Sequence, residues 1–135
     1  MATVKELLRT EANETISFGD YTLDAKAKVE DYEFKGNLYK VKTFKEITKL
    51  ERDGAFVYES VPGTAVNNFK ASEGGVEFTV SGDADAEITI ELAENTEYTV
   101  EVAGRKSEMK TGISGKLSFS VNLEGEGEVK VIISK

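Results

Sequence analysis

From Thr15 onward apolar residues recur with period two, interrupted by Gly, Asn and Asp, which is the pattern of half-buried antiparallel strands. The N-terminal stretch differs. Thr3 followed by Glu6 fits a T-x-x-E capping box, in which each side chain satisfies a backbone donor at a helix start, so a short helix is expected over Val4 to about Arg9.

Charge and packing together predict hairpin registers, because one face must be apolar while opposite charges meet on the other. A two-residue turn at Gly36-Asn37 sets Phe34 opposite Tyr39 and Tyr32 opposite Val41, with Glu33 facing Lys40 and Asp31 facing Lys42. Asp53-Gly54, a type I′ dipeptide, joins residues 46–52 to 55–60 and sets Leu50 opposite Val57. The i, i+3, i+6 spacing of Phe44, Ile47 and Leu50 leaves a turn of helix before that hairpin as the alternative. Pro62-Gly63 fits the central pair of a type II turn. A loop at Ala103-Gly104 pairs Tyr98 with Met109 on the core face, and Glu101 with Lys106 and Glu97 with Lys110 outside. For the last hairpin, parity selects a three-residue loop, Gly125-Glu126-Gly127, which sets Leu123 opposite Val129, Val121 opposite Val131 and Phe119 opposite Ile133.

The stretch Ala71 to Gly75 is polar and Gly-containing, and beyond it the alternation becomes more regular, as in Val76, Phe78, Val80 and Ile88, Ile90, Leu92. A boundary is expected there. The fold class is all-β: residues 1–71 form an antiparallel β-rich module carrying the short helix, packed with an Ig-like β-sandwich module over residues 72–135, the two able to form one continuous domain.

Composition removes most chemistries. The 135 residues include 25 acidic and 17 basic side chains, a net charge of −8, with neither His nor Cys. Disulfides, thiolate nucleophiles, imidazole bases and Cys or His metal sites are therefore excluded, and no cofactor is implied. An acidic field and three arginines argue against nucleic acid as a partner. Charges break up the first residues and no 18-residue apolar run occurs, so neither a signal peptide nor membrane insertion is expected, and the location expected is cytoplasmic.

The segments Glu94–Val102, Gly104 and Gly115–Val121 resemble the small Ig-like β-sandwich tails of bacterial surface and carbohydrate-active proteins, a likeness that covers residues 76–135. In such tails the pattern encodes architecture, not activity. Val4–Arg9, Ser17–Tyr21, Tyr39–Phe44 and Val57–Ala65 resemble an uncharacterised family of short bacterial β-rich proteins, some labelled endosialidase. That family has no motif with an established role, so the resemblance implies no functional residues.

What remains is carboxylate, aromatic and arginine chemistry. Asp83, Asp85 and Glu87 have the i, i+2, i+4 spacing that places oxygens on one side of an extended loop, as a calcium site requires, although the Gly and terminal Glu of an EF-hand loop are missing. Glu124, Glu126 and Glu128 read as a solvated loop. Arg9, Arg52 and Arg105 would clamp a carboxylate only if they converged. Tyr32, Phe34 and Tyr39 share one face of a hairpin, where they form either core or a stacking platform for a sugar or a partner's apolar side chain. No catalytic residue stands out. The reading is a non-enzymatic binding or interaction module for a protein partner or glycan. The alternatives are a carboxylate-dependent glycan hydrolase and a structural component that assembles by strand addition at a free edge.

Overall fold

A computed structural model describes residues 3–135 as an all-β chain of thirteen strands. They are β1 (Leu8–Thr10), β2 (Ile16–Phe18), β3 (Ala27–Phe34), β4 (Asn37–Phe44), β5 (Ile47–Arg52), β6 (Ala55–Val61) and β7 (Ala65–Ser72). Then follow β8 (Gly75–Ser81), β9 (Ala86–Glu91), β10 (Glu97–Val102), β11 (Arg105–Lys110), β12 (Lys116–Val121) and β13 (Val129–Ser134). A seven-stranded sheet has the order β1-β2-β7-β8-β13-β10-β11, and a six-stranded sheet the order β12-β9-β6-β5-β4-β3. Every pairing is antiparallel. Each sheet takes strands from both sides of Ala71–Gly75, which is itself the β7–β8 turn.

Alternation does what half-buried strands require. In β9, Ala86, Ile88 and Ile90 are buried while Glu87 and Glu91 are exposed, and β13 repeats the pattern with Val129, Val131 and Ile133. The inward faces form a single cluster centred on Phe18, Tyr58, Phe69 and Phe78. Phe18 and Phe78 both meet the Tyr58 ring edge-on, and Phe69 stacks on Phe78. Such contacts add to the area these rings bury.

Four expectations are corrected. No helix forms at the N-terminus: Leu7 donates to the Val4 carbonyl in a turn, and Leu8 to Thr10 pair with β2. One or two helical turns gain too little to form alone, whereas strand pairing satisfies the backbone and buries Leu8 beside Phe18. The β3–β4 turn is Lys35-Gly36, both residues at positive φ as type I′ needs. Phe34 therefore faces Asn37, and Tyr32 faces Tyr39. A bulge at Glu30 and Asp31 then leaves Lys42 opposite Lys28 rather than Asp31.

At the β6–β7 connection the Val61-Pro62 peptide is cis and Gly63 is not left-handed, so the turn is not type II. Gly63 is required for a different reason: a Cβ there would lie 2.0 Å from the Phe44 carbonyl oxygen. Lastly, β12 and β13 are not a hairpin. β12 pairs with β9 in one sheet while β13 lies between β8 and β10 in the other, because residues 122–128 cross the sandwich. Their apolar faces both turn into the shared core.

Two registers need less revision. The Ala103-Gly104 hairpin pairs Tyr98 with Met109, Glu101 with Lys106 and Glu97 with Lys110, as expected. Asp53-Gly54 turns as expected with β5 a strand, but Val57 is bulged, so Leu50 faces Tyr58.

The chain passes between sheets at Thr64, where a chain of buried hydroxyls satisfies it. Thr48 Oγ1 donates to the Thr64 carbonyl at 2.8 Å and accepts from the Thr64 amide at 3.1 Å. Having one proton, that hydroxyl must then accept from Thr43 Oγ1 at 2.8 Å, and Thr43 in turn accepts from the Asp20 amide at 2.9 Å. Thr64 Oγ1 bonds both Tyr58 and Ser60 at 2.7 Å. Thr43, Thr48, Tyr58, Ser60 and Thr64 are all fully buried, and burial pushes the Tyr58 hydroxyl well above the usual tyrosine range.

Replacing the hub removes partners that water cannot replace. Thr48→Val should lower unfolding stability by about 2 to 4 kcal/mol, since at least two buried polar groups lose their partner. Thr48→Ser, which keeps the hydroxyl, should cost about 1 kcal/mol. Urea unfolding of the two variants checks the difference, and equal losses would mean that the methyl group, not the hydrogen bonds, carries the effect.

Candidate functional site

Three hairpin tips come together at one end of the sandwich. Asp53 holds two of them in place: its amide donates to the Leu38 carbonyl at 2.7 Å, and its carboxylate accepts from the Leu38 amide at 2.9 Å. This docks the β5–β6 tip on β4 and sets Arg52 opposite Tyr39. Between these strands and the β7–β8 turn lie two hollows. One, of about 340 Å³, is floored by Val57, Phe69, Val76 and Tyr98; the other, of about 180 Å³, is walled by Phe34, Tyr39, Lys35 and Lys70. Both include Arg52, Phe69 and Ala71, so they form one groove with Arg52 at its junction.

Small residues keep the groove open. Ala55, Ala71, Gly75 and Ala93 line the larger hollow. Its far wall is fixed by Thr111, whose hydroxyl donates to the Ala93 carbonyl at 2.6 Å and accepts from the Thr96 amide at 3.0 Å, while the Ala93 amide donates to the Tyr98 hydroxyl at 3.1 Å.

The aromatic trio divides. Phe34 and Tyr39 meet edge to face with centroids 6.0 Å apart, Phe34 half-buried and Tyr39 8% exposed, so they form a groove wall rather than a flat platform. Tyr32 is half-buried and turned away, its hydroxyl hydrogen-bonded to Thr10 at 2.9 Å, where it links the edge strands β3 and β1 of the two sheets.

The three arginines do not converge. Arg9 is engaged by Glu11 at 2.9 Å and by Glu6 at 3.4 Å. The Ser17 hydroxyl and the Arg9 guanidinium together hold the Glu11 carboxyl below the usual carboxylate range. Arg105 lines a separate cleft of about 410 Å³ between β10–β11 and β12. Arg52 has no ion-pair partner among the described residues.

The acidic triplet is also taken apart. Asp85 Oδ1 accepts from the amides of Leu123 and Glu124 at 2.9 and 3.2 Å, anchoring the crossing loop, while Asp83 and Glu87 are exposed. Among the described residues no group of three or more carboxylates is arranged to hold a metal ion, and no helix is long and apolar enough to cross a membrane.

Comparison with protein-family models, with curated proteins and with solved structures returns no match.

Sequence reasoning missed the groove because its residues come from separated hairpins and meet only through topology. The aromatic wall and Arg52 were visible individually; Phe69 and Lys70 gave no signal. The hydroxyl chain did have one: Thr43, Thr48 and Ser60 stand two residues from buried Val41, Leu50 and Tyr58, which parity places on the core face.

The outer face of the six-stranded sheet carries an electrostatic conflict. Lys28, Lys42 and Lys49 sit directly opposite one another on β3, β4 and β5; among the described residues the outer two have an acidic partner, Glu30 at 3.8 Å and Glu51 at 3.6 Å, and Lys42 has none. Like charges in register oppose pairing. Lys42→Glu should raise stability by about 0.5 to 1 kcal/mol at low ionic strength, with the gain shrinking in high salt. Thermal unfolding at two salt concentrations measures it; an unchanged or lowered midpoint at low salt would show that Lys42 is already neutralised by its surroundings.

Proposed function

We propose that the chain is a non-enzymatic binding module whose ligand lies in the groove between the hairpin tips. The observation that carries this reading is Arg52, an arginine without an ionic partner among the described residues, set at the junction of two hollows with Phe34, Tyr39 and Phe69 beside it. A guanidinium fork matches a carboxylate, and ring faces and edges pack against the apolar face of a sugar. The ligand class that fits is a carboxylated glycan.

Hydrolysis is less well supported. The acids at the groove, Glu14, Glu73 and Glu91, are all exposed, and none sits in the apolar surroundings that a glycosidase's general acid needs.

The test is a two-dimensional amide NMR titration with sialylated and neutral oligosaccharides, following the sugar signals for a day. Shifts confined to Tyr39, Arg52, Phe69 and Ala71 with the sialylated sugar alone are expected, and Arg52→Ala should weaken that binding about tenfold or more. Shifts with an acidic peptide instead would move the groove to a protein partner, new sugar products would favour the hydrolase, and a silent spectrum with all three would end the reading.

A further inference from the structure

The four sheet edges are not equivalent. β1 is three residues long and tied to β3 through Thr10 and Tyr32, and β3 is broken by its bulge at Asp31. β12 contributes buried Leu117 and Val121 to its own core. β11, like β12, is six residues long, unbulged and paired with one neighbour, but it alone of these two is exposed at every position except half-buried Met109. A strand of this kind presents an open row of donors and acceptors.

Which backbone groups are free can be worked out. At one end the Ala103 amide donates to Lys130 on the far side of β10, so by alternation the neighbouring Val102 faces β11 and closes the turn with Arg105. At the other end the Thr111 amide donates to Thr96, again towards β10. Between them Arg105, Ser107 and Met109 bond inward, and the amides and carbonyls of Lys106, Glu108 and Lys110 point outward.

An incoming antiparallel strand must pair its own outward residues with these. When that strand is β11 of a second copy, related by a two-fold axis, few registers survive. Centring on Lys106 or Glu108 sets each opposite itself, and the latter also sets Lys106 against Lys110, like charge on like charge. Centring on Met109 overlaps only residues 108–110. Centring on Ser107 sets Lys106 opposite the partner's Glu108 and Glu108 opposite the partner's Lys106, with Ser107 facing itself and Arg105 facing the partner's Met109. Hydrogen-bond parity and charge complementarity thus select the same arrangement. Lys106 stands opposite Glu101 on β10 but makes no close ion pair among the described residues, and among them Glu108 accepts from Thr99 at 3.2 Å and likewise makes no ion pair.

We infer that β11 is a self-association edge, through which two copies join their seven-stranded sheets in the register centred on Ser107. Each Lys106 and Glu108 pair exchanges both backbone bonds and carries opposite charges. The joined sheet lies on the opposite side of the sandwich from the β1–β3 link and leaves the hairpin-tip groove open.

The experiment is sedimentation over a concentration series for the native chain, Lys106→Glu, Glu108→Lys and the double exchange, with a two-dimensional amide spectrum confirming that each variant folds. The native chain should form a concentration-dependent dimer, either single change should weaken it about tenfold or more, and the double exchange should restore it. The double exchange preserves the net charge of −8, so its recovery isolates the local pairing from overall repulsion. A second readout uses the absence of native cysteine. Ser107→Cys should be trapped as a covalent dimer on mild oxidation, because residues facing each other across a non-hydrogen-bonded antiparallel pair lie within disulfide reach, while Ser118→Cys on β12 should not. A native chain that stays monomeric, a double exchange that fails to restore association, or cross-linking at Ser118→Cys without Ser107→Cys would each overturn the inference.

Discussion

Thr64 lies where the chain leaves one sheet for the other, and the sandwich depends on satisfying its backbone there. A crossing strand has lost its ladder partners before it gains new ones, and at full burial no water can stand in for them. Thr48 supplies both a donor and an acceptor from a single hydroxyl, and its own remaining need is met by Thr43, which also holds Asp20 in the β2–β3 connection. Two crossings between the sheets are thereby fastened to the same point on β4 and β5. The close approach of Gly63 to the Phe44 carbonyl belongs to this constraint, because the connection can reach Thr48 only by passing against the β4–β5 turn.

Period-two alternation made the all-β class and most strand positions legible, since it reports which face of each strand is buried. It does not report the neighbour. Phe119, Val121 and Leu123 and Val129, Val131 and Ile133 have the parity of facing strands, but they lie in and beside strands of different sheets and meet in the shared core rather than along a ladder. What separates them is the Asp85 clamp on Leu123 and Glu124, a contact between residues thirty-eight and thirty-nine apart in sequence that no local pattern encodes. Ala103-Gly104 succeeded because all its information is local: two residues at positive φ, matched faces and no bulge.

Bulges shift the register at three places. Asp31 in β3, Val57 in β6 and Asn68 in β7 each add a residue on one side of a ladder. Asn68 is held at positive φ with its amide bonded to the Ser17 hydroxyl and its side chain accepting from Thr15. In each case the hydrophobic pattern on either side of the bulge stays correct, but the pairing slips. For β3 the displaced turn and the bulge together have an electrostatic consequence, replacing an expected Asp31–Lys42 pair with a lysine facing a lysine.

The candidate site follows from the same geometry. The hydroxyl network and the Asp85 clamp act at the end of the sandwich where β6 and β8 leave their sheets, and the hairpin tips of β3–β4, β5–β6 and β7–β8 gather at the opposite end. Polar side chains at the first end are consumed by backbone groups that burial leaves without water. At the second end Lys35-Gly36 and Asp53-Gly54 close type I′ turns, Asp53 docks one tip on another, and the Arg52 guanidinium has no ion-pair partner among the described residues. A ligand proposed for the groove would engage Arg52 and the Phe34 and Tyr39 wall without breaking the Thr48–Thr64 bonds or the Asp85 clamp. In the proposed reading, that separation places recognition at the tips of a fold whose buried hydroxyl network lies at the other end.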